Sequence, residues 1–274
     1  MTGHSISRPL TFTTLLRRDR VVIIAALIGL TGLAWVYLDA LASGMADSEV
    51  VDLARPGDMA GMVMSAATKP WTATDIMLTL VMWCVMMVGM MLPSAAPMIL
   101  TFATVNRRKR ERGQPFVPAA AFAAGYLSVW GAFSIAATLG QWGLQDAALL
   151  SMTAAATSPT LGGALFVAAG LYQLTPLKYA CLKRCRSSFD FVINRWRDGT
   201  IGALRMGVAH GFYCLGCCWV LMALLFAEGV MNLLWAAAIG ALVFFEKLFP
   251  AGQWIARISG ILMLAFGAYL LTQP

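Results

Sequence analysis

Four side chains that ligate soft metal ions lie close together in one apolar segment. They are His210, Cys214, Cys217 and Cys218. On a helix, positions separated by four, seven and eight residues share one face, so these side chains are predicted to line about two turns. Thiols and imidazole are donors that Cu(I) and Zn²⁺ prefer. The spacing therefore predicts a metal site, and the alternative is a set of buried cysteines that only pack.

A methionine-rich segment supplies a second group of soft donors. Its predicted ligands are Met86, Met87, Met90 and Met91. Thioethers bind soft ions, although methionine also fills gaps in apolar cores. Met86 lies eleven residues from Asp75, at the predicted outer end of its segment, and Cys217 lies eleven residues from Glu228, at the outer end of the other. At 1.5 Å per residue, both positions are about 16 Å deep in the membrane. Neighbouring helices would therefore let the methionines and thiols enclose one Cys/Met site.

Two smaller groups of sulfur ligands lie on either side of this site. Met59, Met62 and Met64 stand in the predicted outer first loop, where thioethers could collect Cu(I). Cys181 and Cys185 are spaced i, i+4 in a basic stretch of the predicted inner loop, where positive neighbours favour thiolates. The three sets of donors lie at successive depths. This order motivates the hypothesis of a metal relay across the membrane, with two unused cytosolic thiols as the alternative for the inner pair.

The composition indicates that lipid must solvate much of the chain. Of 274 residues, 59% are hydrophobic and only 12% are charged, against about 25% charged in typical globular domains. A soluble core cannot bury so many apolar side chains, so a soluble domain is excluded. Six cysteines are too few for a disulfide scaffold of this length.

The distribution of apolar residues predicts an all-α fold, a polytopic transmembrane helical bundle of about seven spans. Seven segments approach the roughly 20 apolar residues that a span needs: 21–43, 74–103, 117–141, 159–178, 202–227, 230–248 and 253–272. Pro93 and Pro97 predict a kink or break in the second span. We expect one transmembrane domain over 21–272, preceded by a cytoplasmic segment over 1–20.

Charged residues predict the orientation of this bundle. Basic residues are concentrated before the first span and in the loops 104–116 and 178–201, whereas acidic residues predominate in the alternate loops. The positive-inside rule then places the N-terminus inside and the C-terminus outside, in a bacterial inner membrane. The net charge of +7 reflects this topology, so the bilayer is the expected partner and nucleic acid is not. Glu246 is predicted to be an interfacial anchor and Lys247 a flanking charge.

Several strings of residues resemble those of a bacterial domain-of-unknown-function family of predicted metal-binding integral membrane proteins. The most specific string is Cys214-Leu-Gly-Cys217-Cys218-Trp219. The others lie between about residues 75 and 250: 86–98, 125–134, 172–178, 181–186, 210–211, 229–232 and 246–247. The resemblance implies a membrane protein that binds metal, with the matched Cys, His and Met side chains as ligands.

The predicted function is the handling or transport of a soft metal ion, Cu(I), through a Cys/His/Met site. Zinc is the alternative metal, and a metallochaperone or a periplasmic metal-binding protein is the expected partner. We do not expect an enzyme, because no P-loop, G-x-S-x-G or H-E-x-x-H sequence occurs. Two other functions stay open: a membrane thiol oxidoreductase that uses the C-x-x-C pair Cys214 and Cys217, and an assembly or accessory subunit.

Overall fold

The computed structural model describes residues 12–53, 71–113, 117–151 and 154–273. Over these residues the chain forms ten helices and no β-strand, which confirms the predicted all-helical bundle. The helices are α1 (Phe12–Leu53), α2 (Ala73–Arg110), α3 (Ala119–Asp146), α4 (Pro159–Gln173), α5 (Pro176–Arg186), α6 (Ser188–Asn194), α7 (Gly199–Ala223), α8 (Leu225–Glu228), α9 (Leu233–Leu248) and α10 (Gly252–Leu271).

In the part of the chain that the structure describes, five helical segments are long and apolar enough to cross a membrane: within α1, α2, α3, α7 with α8, and α10. The bent pair α4 and α5 is a sixth if its two helices form one span. The predicted span 230–248 shortens to the 16 residues of α9, because Asn232 caps its first turn. At 1.5 Å per residue, α9 is about 24 Å long, less than the roughly 30 Å of a bilayer core. The predicted seven spans are reached only if this short helix also crosses.

The predicted span 159–178 is broken near its end. Helix α4 stops at Gln173, and α5 begins at Pro176 with its axis turned by 65°. Proline has no N–H to continue a helix but suits a first turn. Thr175 caps the new helix by accepting a hydrogen bond from the Lys178 N–H at 3.3 Å. The predicted inner loop 178–201 therefore contains two helices, α5 and α6.

Helix α2 runs without a break through the two prolines where the sequence predicted a kink or break. Thr72 begins the helix with a capping box in which Asp75 is the reciprocal partner. After Pro93, the Ser94 hydroxyl donates to the Met91 carbonyl at 2.8 Å and adds a local hydrogen bond. The predicted methionine ligands and Ser94 therefore belong to one continuous helix.

Close contact between α3 and α7 sets the position of the cysteine-rich helix. A Cβ added at Gly207 of α7 would lie 2.0 Å from the Phe122 carbonyl oxygen, and one added at Gly125 of α3 would lie 2.1 Å from the Leu204 carbonyl oxygen. Only glycine permits two helices to approach so closely. Tyr126, which follows Gly125, is consequently buried against α7.

Candidate metal centre

Four buried thiols lie together where α5 packs on α7. Cys214, Cys217 and Cys218 project from α7, and Cys185 projects from α5. The Cys185 thiol interacts with the thiols of Cys214 and Cys217, and the Cys218 thiol interacts with the same two. We call Cys185, Cys214, Cys217 and Cys218 the thiol cluster. Its donors come from two helices, so the cluster depends on tertiary packing as well as on helical spacing.

Cys214 is the member of the cluster best placed to be a thiolate. Its Sγ lies 3.0 Å from the Tyr126 hydroxyl and accepts a hydrogen bond from the Lys247 ammonium at 2.9 Å. Hydrogen bonds and an adjacent positive charge stabilise a thiolate over a thiol. Because all three side chains are buried, water screens this attraction little. Cys214 is therefore a candidate ligand for a soft metal ion, and the Lys247 ammonium donates a hydrogen bond to its sulfur.

The other two α7 thiols are directed to the backbone. Cys217 and Cys218 each donate to the Cys214 carbonyl oxygen at 3.0 Å. Among the residues that the structure describes, no group of three or more His, Cys, Asp or Glu side chains is arranged to hold a metal ion. A thiol of this pair must therefore rotate away from the carbonyl before it can ligate a metal beside Cys214.

Lys247 is buried, which corrects its prediction as a flanking charge at the membrane surface. Its ammonium group donates to Cys214 Sγ and also to the Ser94 hydroxyl on α2 at 3.1 Å. A lysine is almost never buried unless it is paired. In this site it joins α9 to both α2 and α7 and places a fixed positive charge beside the thiol cluster.

Glu246 is also buried, so its prediction as an interfacial anchor is wrong. Its carboxylate forms an ion pair with Lys178 at 2.6 Å and accepts a hydrogen bond from the Gln173 side chain at 2.8 Å. The same Gln173 amide donates to Ser259 at 3.0 Å. The apolar surroundings force these charges to pair. The pair fixes α9 to the break between α4 and α5.

His210 lies one turn from Cys214 but contacts aromatic rings. Its ring centroid is 5.6 Å from that of Tyr126, 6.1 Å from that of Phe122 and 5.8 Å from that of Phe191. Its buried Nδ1 atom has no hydrogen-bond partner among the residues that the structure describes. His210 shares the buried face of α7 with the cysteines, as the spacing predicted, and contributes to an aromatic cluster beside them.

The four predicted methionine ligands are all buried in the core on α2. The Met91 carbonyl oxygen accepts a hydrogen bond from the same Tyr126 hydroxyl that contacts Cys214, at 3.1 Å. Met90 lies against Gly240 of α9. Tyr126 and Lys247 therefore connect α2 to α7, although the two helices are not packed along their length. Whether Met86, Met87, Met90 and Met91 ligate a metal stays a prediction.

The predicted inner cysteine pair is not at a separate depth. Cys185 belongs to the thiol cluster, and Cys181 lies one turn away with its sulfur 2.9 Å from where a Cβ on Gly216 would be. The fold therefore merges the inner pair of the predicted relay with its central cluster. The predicted outer donors Met59, Met62 and Met64 lie outside the described residues.

The surface beside Cys181 is basic. Arg184 donates to the Tyr213 hydroxyl at 2.9 Å and stacks over its ring, and Arg195 stacks on the same ring. At the start of α7, hydrogen bonds from Lys109 at 2.9 Å and Trp196 at 2.7 Å lower the pKa of the Asp198 carboxyl. Arg184 and Arg195 thus place positive charge on the surface beside Tyr213, the residue that precedes Cys214.

The sequence analysis missed two residues of this site, Tyr126 and Lys247. It also missed that Cys185 contacts α7. The adjacent charges Glu246 and Lys247 in an otherwise apolar helix were the available signal for buried function. The contact of Cys185 depends on the bend between α4 and α5, for which only Pro176 was a local signal.

Residues 80–270, more than half of the chain, match the family model of PpoB2, described as a copper chaperone. No curated protein matched, and no solved structure matched. The matched region includes every residue of the thiol cluster, Tyr126 and Lys247.

Proposed function

The chain belongs to the PpoB2 copper chaperone family, and from this premise we propose that it holds Cu(I) on the thiol cluster and passes it to a partner protein. Copper is the cargo in this proposal, and no catalytic activity is part of it. The membrane concerned is the bacterial inner membrane, and the partner is a metallochaperone or a periplasmic metal-binding protein.

The environment of Cys214 is the observation that supports this function most directly. The Cys214 sulfur accepts a hydrogen bond from the buried Lys247 ammonium at 2.9 Å, and this positive charge favours a negatively charged, metal-bound sulfur at that position. Three more thiols surround it at the same junction of α5 and α7. Thiolates select soft ions such as Cu(I). Cys214 is therefore the proposed primary ligand, and Cys185, Cys217 or Cys218 supplies the second.

The buried charge favours Cu(I) over Zn²⁺. A Cu(I) ion with two thiolate ligands has one net negative charge, and the Lys247 ammonium neutralises it in the low-dielectric interior. Structural Zn²⁺ sites use four ligands in a closed tetrahedron. A lysine hydrogen-bonded to Cys214 occupies one direction around that sulfur. Cu(I) can be coordinated by only two sulfur ligands, so it fits this donor set better than Zn²⁺ does.

Release of copper is compatible with the way the other thiols are held. Cys217 and Cys218 each donate one neutral hydrogen bond to the Cys214 carbonyl. Such a bond contributes only about 0.5–1.5 kcal/mol net, so a thiol can leave the carbonyl for a metal at little cost and regain the hydrogen bond when the metal departs. Weakly held successive ligands allow an ion to leave as well as to enter. Met86, Met87, Met90, Met91 and His210 are proposed as secondary donors for these steps.

The test is the metal content of anaerobically purified protein and of two single-cysteine variants. We expect wild-type protein to bind copper, Cys214→Ser to lose it, and Cys84→Ser to keep it, because Cys84 on α2 is outside the thiol cluster. Circular dichroism controls for folding of the Cys214 variant. Copper retained by Cys214→Ser would contradict the assignment of Cys214 as the primary ligand. Zinc alone in the wild type would mean that the bound metal is zinc and not copper.

The same samples test the alternative of a thiol oxidoreductase. Differential alkylation of the metal-free protein distinguishes free thiols from a disulfide. We expect Cys214 and Cys217 to be reduced and to be protected from alkylation by Cu(I). A reversible Cys214–Cys217 disulfide that forms without metal would favour the oxidoreductase instead.

A further inference from the structure

Two exposed arginines lie beside Tyr213, on one approach to helix α7, which carries three members of the thiol cluster. Arg184 and Arg195 both stack on the half-buried Tyr213, with guanidinium carbons 5.3 and 5.7 Å from its ring centroid. Tyr213 precedes Cys214 in α7. We call Arg184 and Arg195 the arginine pair. Arginine keeps its positive charge at any physiological pH, so this approach repels a free copper cation.

The thiol nearest this surface is Cys181, which is only partly buried, unlike the four members of the cluster. Its sulfur lies against Gly216, between the α7 positions of Cys214 and Cys217. Arg184 follows three residues later on the same face of α5. Cys181 is therefore the thiol near the arginine pair that is open to an arriving copper complex, whereas the members of the cluster are buried.

From this arrangement we propose that the protein accepts copper as an anionic bis(thiolate) Cu(I) complex, attracted by the arginine pair and received first by Cys181. The inference rests on the proposed function and specifies its substrate. Opposite charges raise the encounter rate at a charged entrance. The complex can originate from a small acidic thiol peptide or from a carrier protein with two cysteines, since both present the same charged chemistry.

Ligand exchange that begins at Cys181 balances in atoms and charge. The Cys181 sulfur forms a bond to copper, one donor thiolate leaves, and the proton of Cys181 goes to that leaving sulfur. A second exchange with a cluster thiol releases the other donor as a thiol in the same way. In a third exchange Cys214 displaces Cys181, whose sulfur regains a proton from Cys214 or from solvent. The metal remains Cu(I) and the bound complex keeps one net negative charge throughout. Lys247, beside Cys214, neutralises that charge at the final position.

The experiment measures the rate at which protein in uncharged detergent takes radiolabelled Cu(I) from donors of opposite charge. The anionic donors are the glutathione complex and an acidic two-cysteine carrier domain, and the cationic donor is the cysteamine complex. The variant is Arg184→Gln/Arg195→Gln. Arg257→Gln is the matched control, because Arg257 also stacks on a tyrosine, Tyr179, but on another face.

We expect the arginine variant to slow uptake from the anionic donors about tenfold or more, in line with electrostatic steering, and not to slow uptake from cysteamine. Added salt should reduce the difference between wild type and the arginine variant in the rate of copper uptake from the anionic donors. Arg184→Lys/Arg195→Lys should retain most of the rate. The faster of the two anionic donors identifies the source. Cys181→Ser should slow uptake from every donor, whereas Cys84→Ser should not.

Two results separate failure of this inference from failure of the proposed function. If wild type and the arginine variant take copper equally fast from donors of either charge, the anionic substrate is wrong although copper binding stands. If the wild type takes no copper from any donor at equilibrium, the proposed function itself is wrong. Uptake that Cys181→Ser leaves unchanged would remove Cys181 from the route.

Discussion

Replacing Lys247 by methionine removes the buried positive charge beside the proposed copper ligand. The Lys247 ammonium donates to Cys214 Sγ at 2.9 Å, and both groups are buried. A hydrogen bond to a charged group contributes about 1.5–3 kcal/mol, and 1.4 kcal/mol corresponds to a tenfold change in Kd. We therefore expect Lys247→Met to weaken Cu(I) binding about 10- to 150-fold.

The assay is competition for Cu(I) with a chromophoric chelator of known affinity, under anaerobic conditions and at one pH. Lys247→Arg keeps the charge and should lose less affinity than Lys247→Met. Lys183→Met is the matched control, because Lys183 is exposed on α5 and should bind copper as the wild type does.

The result that refutes this reasoning is an affinity for Lys247→Met that equals or exceeds that of the wild type. An unchanged affinity would mean that the ammonium does not stabilise the bound complex. A higher affinity would mean that Lys247 competes with copper for the Cys214 sulfur. Folding is checked by thermal unfolding, and a neutral Cys214 thiol beside methionine leaves no unpaired buried charge.

Three further predictions concern the structure around the site. Glu246→Gln leaves Lys178 without its ion-pair partner at 2.6 Å and should destabilise the protein by about 3–5 kcal/mol. Chemical unfolding in detergent measures this loss, and a Lys178→Met/Glu246→Gln double variant should recover much of it. Gly207→Ala adds a Cβ 2.0 Å from a backbone oxygen of α3 and should cost about 1–3 kcal/mol by overpacking; equal stability would show that α3 and α7 separate easily. Because the folded pKa of Asp198 is lowered, its contribution is present above the unfolded pKa of about 3.9 and is lost as the pH falls through the folded value. Hydrogen exchange at the start of α7 should therefore accelerate on acidification in the wild type, and Asp198→Asn should exchange faster already at neutral pH.

The sequence was sufficient to predict the class of fold and one face of the site. Apolar composition requires helices in a bilayer, because no other open structure pairs every backbone group there. The i, i+4 and i+8 spacing of His210, Cys214 and Cys218 placed them on one buried face of α7, as the structure shows. Local periodicity determines both features, so one sequence is enough to recognise them.

The remaining contacts depend on tertiary packing, and the local sequence signals for them were misleading. Lys178 and Lys247 stand at the ends of apolar segments, so the positive-inside rule assigns them to the membrane surface. In the fold, the bend before Pro176 brings Lys178 to Glu246, and α9 turns Lys247 toward Cys214. An adjacent Glu–Lys pair on an apolar helix is therefore better interpreted as a candidate for buried pairing than as an anchor.

The hypothesis of a relay changed for a related reason. Cys185 was predicted in an inner loop because the basic stretch after Pro176 resembles a solvated connection. The same residues form α5, which packs its cysteines on α7 while Lys183 and Arg184 are exposed. The i, i+4 spacing of Cys181 and Cys185 was the signal that this stretch is helical.

The most direct test of the central claim is X-ray absorption at the copper edge of Cu(I)-loaded protein. The proposed site predicts two or three sulfur ligands around Cu(I) and no nitrogen ligand in the wild type. The same measurement on Cys214→Ser, loaded under identical conditions, should show loss of protein-derived sulfur ligation. A copper ion ligated mainly by nitrogen, or a sulfur environment unchanged in Cys214→Ser, would contradict the assignment of the thiol cluster as the copper site.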